Sequence, residues 1–365
     1  MAKTPIPRNP RVTLATVAGR AGVSVTTVSV VLSGQPKMLQ RYRSQTIAKV
    51  RCAAKKLGYR ANLFATGLPT QRSLFFALVL PDFRKETMGT AHLLGYEGAL
   101  LSGVISTGTE QGLYPVTVMV SRDPDEAAIQ AAGRVIDGGV FGSIVRSPNA
   151  VFDRFLFSRL RAGHPVVGIF PRRLSHWATN GIDVDNRAIG RTAASLIAPR
   201  NRRRWVLVRY ERWGESNRLR CEGFVQAARE IGREVTAIRL PMQINEYQAA
   251  DFLANRFDKL RPDAVFGPES TSSIGGALAC TRLGMKPGED YDLVGCDSAA
   301  WQMPGMPAIT CVDISWEAVG TRAVQELALM HQTGAREFPT VLLPPRIVAR
   351  DTCPVPETLQ PMVSA

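Results

Sequence analysis

The sequence predicts an α/β protein in which three short helices precede a larger body of two doubly wound parallel sheets. Residues 12–59 carry apolar side chains at three-to-four spacing, which is typical of helices that pack on one another. After residue 72, eight short apolar runs alternate with helical stretches, and such runs favour parallel strands covered on both faces. Eight strands are too many for a single sheet of this kind, so we expect two doubly wound halves with one sheet each.

The first predicted helix follows residues 1–10, which hold three prolines and are expected to form a disordered arm. Thr13 can cap this helix, and Gly22 supplies the tight turn after it. Ser24 can cap the second helix, because its hydroxyl accepts a hydrogen bond from an otherwise unpaired amide of the first turn. A third helical pattern follows, and the order is a helix-turn-helix layout.

The second helix has an uncharged outer face. Its inward positions are Val28, Val31 and Leu32, and its outward positions are Val25, Thr26, Ser29 and Val30. A merely solvated helix usually carries Lys or Glu there, whereas small hydroxyl and methyl groups allow close approach to base edges and thymine methyls. The alternative is a bundle helix whose surface side chains are small by coincidence.

The eight predicted strands of the body are apolar along most of their length. In chain order they are LFFALVLP, YPVTVMV, GSIVRS, PVVGIF, RWVLVRY, EVTAIRL, AVFGP and YDLVGCD. Because strands of this kind are buried on both faces, we expect helices to cover both sides of each sheet.

The composition is that of a folded protein with a basic surplus. Hydrophobic residues make up 45% and charged residues 21% of the 365 residues. The net charge is +14, and residues 42–60 hold six basic residues and no acid, so a polyanion is a plausible partner. The six cysteines show no CxxC pair, which favours a reducing cytoplasm. Without a signal peptide or an apolar run of roughly eighteen residues, we expect neither export nor a membrane span.

Catalysis is not indicated by any motif in the chain. The four histidines are scattered without metal-ligand spacing, and neither a phosphate-binding GxxxxGK[ST] loop nor a GxSxG elbow occurs. We therefore expect no enzyme, no cofactor and no metal site.

Several segments together resemble the lactose-repressor family of bacterial transcription regulators. The resemblance begins with VTLATVAGRAGVSVTTVSVVLSG and KKLGYRANLFATGL. It continues in the family's order through LVLPDF, VDN with Gly190 four residues later, RLRCEGF, DLVGCD and LLPPRIVARDTC. It thus spans nearly the whole chain and is far more specific than a lone helix-turn-helix.

The resemblance implies a domain plan and a set of partners. It places the DNA-binding domain at residues 11–60, a hinge helix and linker at 61–72, and then a body of periplasmic-binding-protein type. The implied N-subdomain is 73–183 plus 308–334, and the implied C-subdomain is 184–307 plus 335–365. Family members are dimers that bind a near-palindromic operator and hold a small effector between the subdomains. We expect a cytoplasmic, nucleoid-associated protein.

The resemblance also implies which residues contact DNA. Thr26, Ser29 and Val30 match base-contacting positions, Thr27 matches a common phosphate contact, and Leu68 matches the hinge leucine that wedges into a base step. The full expected set is Thr13, Ser24, Val25, Thr26, Thr27, Ser29, Val30, Tyr59, Asn62, Ala65 and Leu68.

Three departures from the family pattern bear on DNA binding. Val30 replaces an arginine that commonly contacts guanine, which removes a bidentate contact worth roughly 1 to 3 kcal/mol. The connection between Ser33 and Ser44 is longer by about four residues and carries or adjoins Lys37, Arg41 and Arg43, which are either extra phosphate contacts or part of a solvated loop. In the hinge, Ala61 replaces a common proline and Gly67 costs about 1 kcal/mol of helix propensity relative to alanine, so this hinge should fold only on DNA.

The expected effector-binding residues are Phe83, Arg146, Phe170, Arg220, Glu269, Ser270 and Asp297. Arg220 and Asp297 match the family's polyol-binding pair, in which one side chain donates to vicinal hydroxyls and the other accepts. A simple ion pair between the subdomains is the alternative for these two.

An acid-bearing ligand is the hypothesis that the altered pocket suggests. Phe170 stands where an aspartate is frequent, and Arg146 adds a positive charge, although Glu269 pulls the other way. The sequence therefore predicts a sugar-like or sugar-acid effector. Two alternatives stay open: a DNA-binding regulator that does not respond to a small ligand, and a cytoplasmic solute-binding protein.

Overall fold

The structure is a computed structural model that describes residues 12–33, 36–60, 73–82, 90–121, 124–146, 150–170, 179–211, 214–242, 244–296 and 306–362. The chain divides into two compact units, residues 1–74 and 75–365. Each unit has its own hydrophobic core.

The first unit is helical. Its helices are α1 (Leu14–Ala21), α2 (Val25–Ser33), α3 (Pro36–Leu39) and α4 (Ser44–Leu57). A small core forms where the apolar sides of α1, α2 and α4 meet, built on Val17, Val28, Val31, Val50 and Ala53. The predicted three helices are present, and the extra one-turn helix α3 lies in the long connection, with Leu39 packed against this core.

The second unit contains two six-stranded sheets. The first sheet holds β1 (Phe75–Pro81), β2 (Tyr114–Val120), β3 (Ser143–Val145), β4 (Val166–Ile169), β5 (Gly181–Val184) and β11 (Val341–Leu343). Its strand order is β11-β5-β4-β3-β1-β2, and every pairing is parallel.

The second sheet repeats this plan. It holds β6 (Trp205–Tyr210), β7 (Val235–Leu240), β8 (Ala264–Phe266), β9 (Asp292–Cys296), β10 (Thr310–Asp313) and β12 (Arg346–Val348) in the order β12-β10-β9-β8-β6-β7. Only the edge strand β12 runs antiparallel to its neighbour, β10. Two doubly wound halves were the prediction, and they are confirmed.

Helices cover the faces of both sheets. They are α5 (Thr90–Glu110), α6 (Glu126–Ile136), α7 (Ala150–Arg161), α8 (Asn186–Ile197), α9 (Glu215–Glu230), α10 (Glu246–Leu260), α11 (Ser270–Arg282) and α12 (Trp316–Thr333). No single helix in the described segments is long and apolar enough to cross a bilayer. Only α1 and α2 taken together reach that hydropathy, and the chain bends by 105° between them.

All eight predicted apolar runs form strands, namely β1 to β4 and β6 to β9. The prediction missed β5, β10, β11 and β12. These strands have three or four residues each, and two of them contain aspartate, so they show neither alternation nor a long apolar run.

The chain passes between the two sheets three times, and this corrects the expected subdomain boundaries. Residues 308–334 were expected in the N-subdomain, yet β10 pairs with β9 in the second sheet before α12 returns to the first. Residues 335–365 were expected in the C-subdomain, yet β11 pairs with β5 in the first sheet. The physical reason is that β11 and β12 close opposite sheets although only two residues separate them.

Candidate nucleic-acid interface and ligand cleft

The turn between α1 and α2 has the geometry of a helix-turn-helix. Thr13 caps α1 in a capping box with Thr16, and Gly22 ends that helix at a φ of 67°, in the left-handed region that glycine tolerates. Ser24 Oγ accepts a hydrogen bond from the Thr27 amide at 3.1 Å and so caps α2. A three-residue turn and the 105° bend lie within the range of this motif.

Burial agrees with the predicted inner and outer faces of α2 except at Val30, a predicted outer position that is half-buried. Val28 and Val31 are buried, and Leu32 packs against the same core. Val25 is 47% exposed, and the side chains of Thr26 and Ser29 are exposed beside it. The helix therefore presents a surface without charge, small enough to approach another molecule closely.

Four of the expected DNA contacts also have a structural role. Thr13, Ser24 and Thr27 are tied into the two caps, with Ser24 Oγ and Thr27 Oγ1 2.9 Å apart. Tyr59 follows α4, where its amide donates to the Ala54 carbonyl at 2.9 Å and its ring packs against the core. Their contact with DNA remains a prediction. Asn62, Ala65 and Leu68, with the whole predicted hinge, lie outside the described residues.

Almost all of the protein's net charge belongs to the first unit. Residues 1–74 contain thirteen of the 45 lysines and arginines and none of the 31 acids, so thirteen of the fourteen net positive charges lie here. Arg41, Arg43, Lys49 and Lys55 are exposed. Arg43 occupies the N-cap of α4 without a side-chain cap hydrogen bond, as expected of a guanidinium, which has no acceptor to offer the helix amides.

The second candidate site lies at the carboxyl ends of the parallel strands of the second unit, where ligands bind in such folds. Arg146 follows β3, Phe170 follows β4, and Glu269 and Ser270 follow β8. We call this region the cleft. Phe83 and Asp297, the other expected residues at strand ends, lie outside the described residues, so the Arg220–Asp297 pairing stays a prediction.

Arg220 is held by the close crossing of α8 and α9. Its side chain is 5% exposed, Nε donates to Asn186 Oδ1 at 2.9 Å, and Nη1 donates to the Pro268 carbonyl at 2.7 Å. At Gly190, on α8, a Cβ atom would stand 1.9 Å from the carbonyl oxygen of Arg220. Only glycine permits this approach, and the hydrogen bonds to Asn186 and Pro268 then hold the guanidinium.

Glu269 and Ser270 form the amino-terminal end of α11. The Glu269 carboxylate accepts from the Thr271 amide at 3.0 Å and from the Ser272 amide at 2.8 Å, so both oxygens cap the helix. Ser270 Oγ shares a hydrogen bond with the hydroxyl of Tyr96, on α5 of the first half. Both side chains are buried, and their bond joins the two halves across the cleft.

Arg146 lies in a cluster that the sequence did not predict. Its guanidinium forms an ion pair with Glu97 and lies over the ring of Trp316, with Cζ 5.2 Å from the ring centroid. Trp316 also stacks on Tyr96 at 5.3 Å and meets Phe170 edge-on at 4.8 Å. Phe170 adopts a φ of 47°, a strained backbone for a residue with a side chain, of the kind found at binding sites.

The structure thus brings together five of the expected effector residues and adds Tyr96, Glu97, Trp316 and Asn186 to them. Trp316 follows β10, so recognition of that strand would have placed the tryptophan at the cleft by the same strand-end rule. Tyr96 and Glu97 gave no such signal, because they lie inside a helix.

The side chains near the cleft whose pKa values are shifted are poor nucleophiles. Cys221 adjoins Arg220, and burial raises the pKa of its thiol to about 12, so the thiol stays protonated. Burial, with a contribution from the negative Glu269, raises the pKa of Tyr210 to about 12 as well. No group of three His, Cys, Asp or Glu side chains suited to a metal ion occurs within the described segments.

Comparison with known proteins gives similarity in both units. Residues 13–62 match the family model "Bacterial regulatory proteins, lacI family", and residues 198–353 match "Periplasmic binding protein-like domain". The chain is 24% identical to the HTH-type transcriptional regulator PtxS of Pseudomonas aeruginosa, over 94% of this chain and 96% of that protein.

Two solved structures have a similar fold. One is the lac repressor dimer bound to operator and the anti-inducer ONPF, with a TM-score of 0.74 and 21% identity over 94% of this chain and 99% of that one. The other is the complex of the transcriptional regulator CelR with cellobiose, with a TM-score of 0.60 and 21% identity over 94% of this chain and 100% of that one.

Proposed function

We propose that the chain is a DNA-binding repressor of the lacI family, controlled by a sugar-like effector, because residues 13–62 match that family's model and the regulator PtxS is similar over 94% of the chain. The proposal divides the work between the two units. The first binds operator DNA, and the second holds the effector in the cleft.

The observation that carries the proposal is the exposed, uncharged side of α2 within a unit that has only positive charge. The thirteen cations attract the phosphate backbone without regard to sequence. Val25, Thr26 and Ser29 then supply small groups for contact with base edges and thymine methyls. Val30 in place of arginine implies an operator that differs from the usual family consensus.

We propose a homodimer that binds a pseudo-palindromic operator, one subunit to each half-site. The fold neighbour crystallised on its operator is a dimer. In this arrangement the hinge residues, including Leu68, would fold against the minor groove.

The effector would act by favouring one arrangement of the two halves over another. Its influence equals the difference between its affinities for the DNA-competent and DNA-incompetent states. The Tyr96–Ser270 bond already joins the halves across the cleft, so a ligand that enters must replace or reinforce it. The transcriptional regulator CelR, which has a similar fold, is known in complex with cellobiose.

Two alternatives are separable from this proposal. A regulator without a small ligand would bind operator equally well at every effector concentration, and a solute-binding protein would bind the solute but no operator.

Catalysis is the least supported function, since the relatives are named as regulators and Cys221 stays protonated. A protein with this task works in the cytoplasm, at the nucleoid.

Selection of bound duplexes from a random pool tests the proposal, followed by gel-shift assays on the selected and a scrambled duplex. We expect Thr26→Ala to weaken binding to the selected duplex and leave the scrambled one unchanged. Thr109→Ala, an exposed threonine in the second unit, is the matched control. The proposal fails if no sequence is enriched, or if Thr26→Ala and Thr109→Ala behave alike.

A further inference from the structure

We propose that Glu97 and Trp316 form a hydroxyl-binding subsite in the cleft. A hydroxyl of the effector donates to Glu97 Oε2 and accepts from the indole Nε1–H of Trp316. The inference rests on the proposed function, since it assigns residues and ligand chemistry to the same cleft. It also changes the role of Arg146, which the sequence suggested as a receptor for an acid.

Glu97 has one carboxylate oxygen in use and one without a partner. Oε1 is paired with Arg146, whereas Oε2 is buried and has no hydrogen-bond partner among the residues that the structure describes. The side chain is nine-tenths buried. A buried carboxylate oxygen without a hydrogen-bond donor is destabilising. In a binding site, such an atom is therefore expected to accept a hydrogen bond from a ligand or from water.

Trp316 presents the complementary atom. Its Nε1–H is buried and has no acceptor in the described segments, although indole nitrogens normally find one when buried. The ring is wedged between Tyr96 and Phe170 and lies under the Arg146 guanidinium. Arg146 contacts both the Glu97 carboxylate and the Trp316 ring, and Tyr96, the neighbour of Glu97 in the chain, stacks on that ring; from these shared contacts we infer that the two unpartnered atoms face the same region.

A hydroxyl is the group whose chemistry fits both atoms. It donates one hydrogen bond and accepts others, so a single hydroxyl can satisfy a carboxylate oxygen and an indole N–H together. A cation would suit Glu97 but would face the indole N–H and the charge of Arg146. An anion would suit the indole but would face the carboxylate.

The same contacts decide what Arg146 does. Its charge is balanced by Glu97, and its face rests on the Trp316 ring, so it orients the two hydroxyl-binding groups. An acid group on a ligand would have to bind elsewhere, on the side of the cleft where Arg220 lies. Hydroxyls are common to neutral sugars and to sugar acids, and the experiment must distinguish these sources.

The test follows the indole N–H resonances of the full-length dimer labelled with 15N-tryptophan, during titration with D-ribose, cellobiose, D-gluconate and D-glucuronate. Trp316→Phe identifies the Trp316 resonance by its disappearance. We expect at least one probe to bind and to shift that resonance, and calorimetry to show whether the neutral or the acidic pair binds more tightly.

Two variants and a control complete the test. Trp316→Phe keeps an aromatic side chain, although a smaller one, and removes the N–H, and Glu97→Gln keeps the shape but removes the charge; we expect each to weaken the binding of the tightest probe about tenfold. Tyr291→Phe removes another buried, unpartnered polar atom, beside β9 and away from these contacts, and should leave affinity unchanged.

Several outcomes would overturn the subsite: no probe binds, the Trp316 resonance stays in place when one does, or Trp316→Phe binds it as tightly as the wild type. Gel shifts on ligand-free protein distinguish this failure from failure of the proposed function. The wild-type protein should bind the selected duplex whether or not the subsite exists, so operator binding without a Trp316 shift refutes the subsite alone.

Discussion

Replacement of Gly190 by alanine should push α8 and α9 apart and displace Arg220. The added Cβ would lie 1.9 Å from the Arg220 carbonyl oxygen and 2.5 Å from the Phe224 amide nitrogen, whereas ordinary contact begins at 3.4 Å. The helices must therefore separate by about 1.5 Å in a core that is packed at crystal density. Because the clash is with backbone rather than with a flexible side chain, we expect a loss near the upper end of overpacking costs, about 3 kcal/mol.

Urea unfolding followed by tryptophan fluorescence measures this loss. All five tryptophans lie in residues 75–365, so the signal reports on the second unit alone. Gly98→Ala is the matched control, because Gly98 lies within α5 with nothing inside 4 Å of the added Cβ. There alanine should raise the free energy of unfolding by up to about 1 kcal/mol. An unchanged midpoint for Gly190→Ala, or an equal fall for both variants, would refute the argument from close approach.

Three further outcomes follow from the contacts and charges described. Ser24→Ala should lower the stability of α2 by about 1 kcal/mol through loss of its cap, seen as faster amide exchange in that helix; unchanged exchange would contradict the cap. Arg43→Gln should reduce the slope of log DNA affinity against log salt concentration by about one, if the Arg43 guanidinium contacts a phosphate. Fluorescence anisotropy measures this slope, and Arg282→Gln, in the second unit, should leave it unchanged. Burial lowers the pKa of His164 from 6.5, so the unfolded chain binds its proton first and stability should fall as the pH drops through 6.5. His164→Gln should flatten that fall in urea titrations at several pH values, and a parallel decline in both proteins would disprove it.

The fold was predictable where burial dictates composition. A strand covered on both faces must be apolar along its length, which is why all eight long runs were found. The α2 surface was predictable for a related reason, since a 3.6-residue period separates inner from outer positions whatever the partner. The short strand β11, three residues at an edge, carries no comparable signal, and with it the subdomain boundaries were missed.

The cleft was only partly predictable because its decisive contacts join distant parts of the chain. Strand ends placed Arg146 and Glu269 correctly, as the topology of parallel sheets requires. Nothing in the sequence ties Glu97 to Arg146 or stacks Tyr96 on Trp316, since the first contact joins α5 to the end of β3 and the second joins α5 to α12. Arg146 taken alone therefore suggested an anionic ligand, whereas the structure pairs its charge with Glu97.

The three passages of the chain between the sheets limit how the gene for such a protein can be divided. Each sheet needs a strand from the last thirty residues, since β11 completes one and β12 the other. A stop codon anywhere upstream of β11 would strip both sheets of an edge at once, so no contiguous coding segment specifies either half. Variants that lose the effector response but still fold should consequently arise as single substitutions at the cleft and not as truncations.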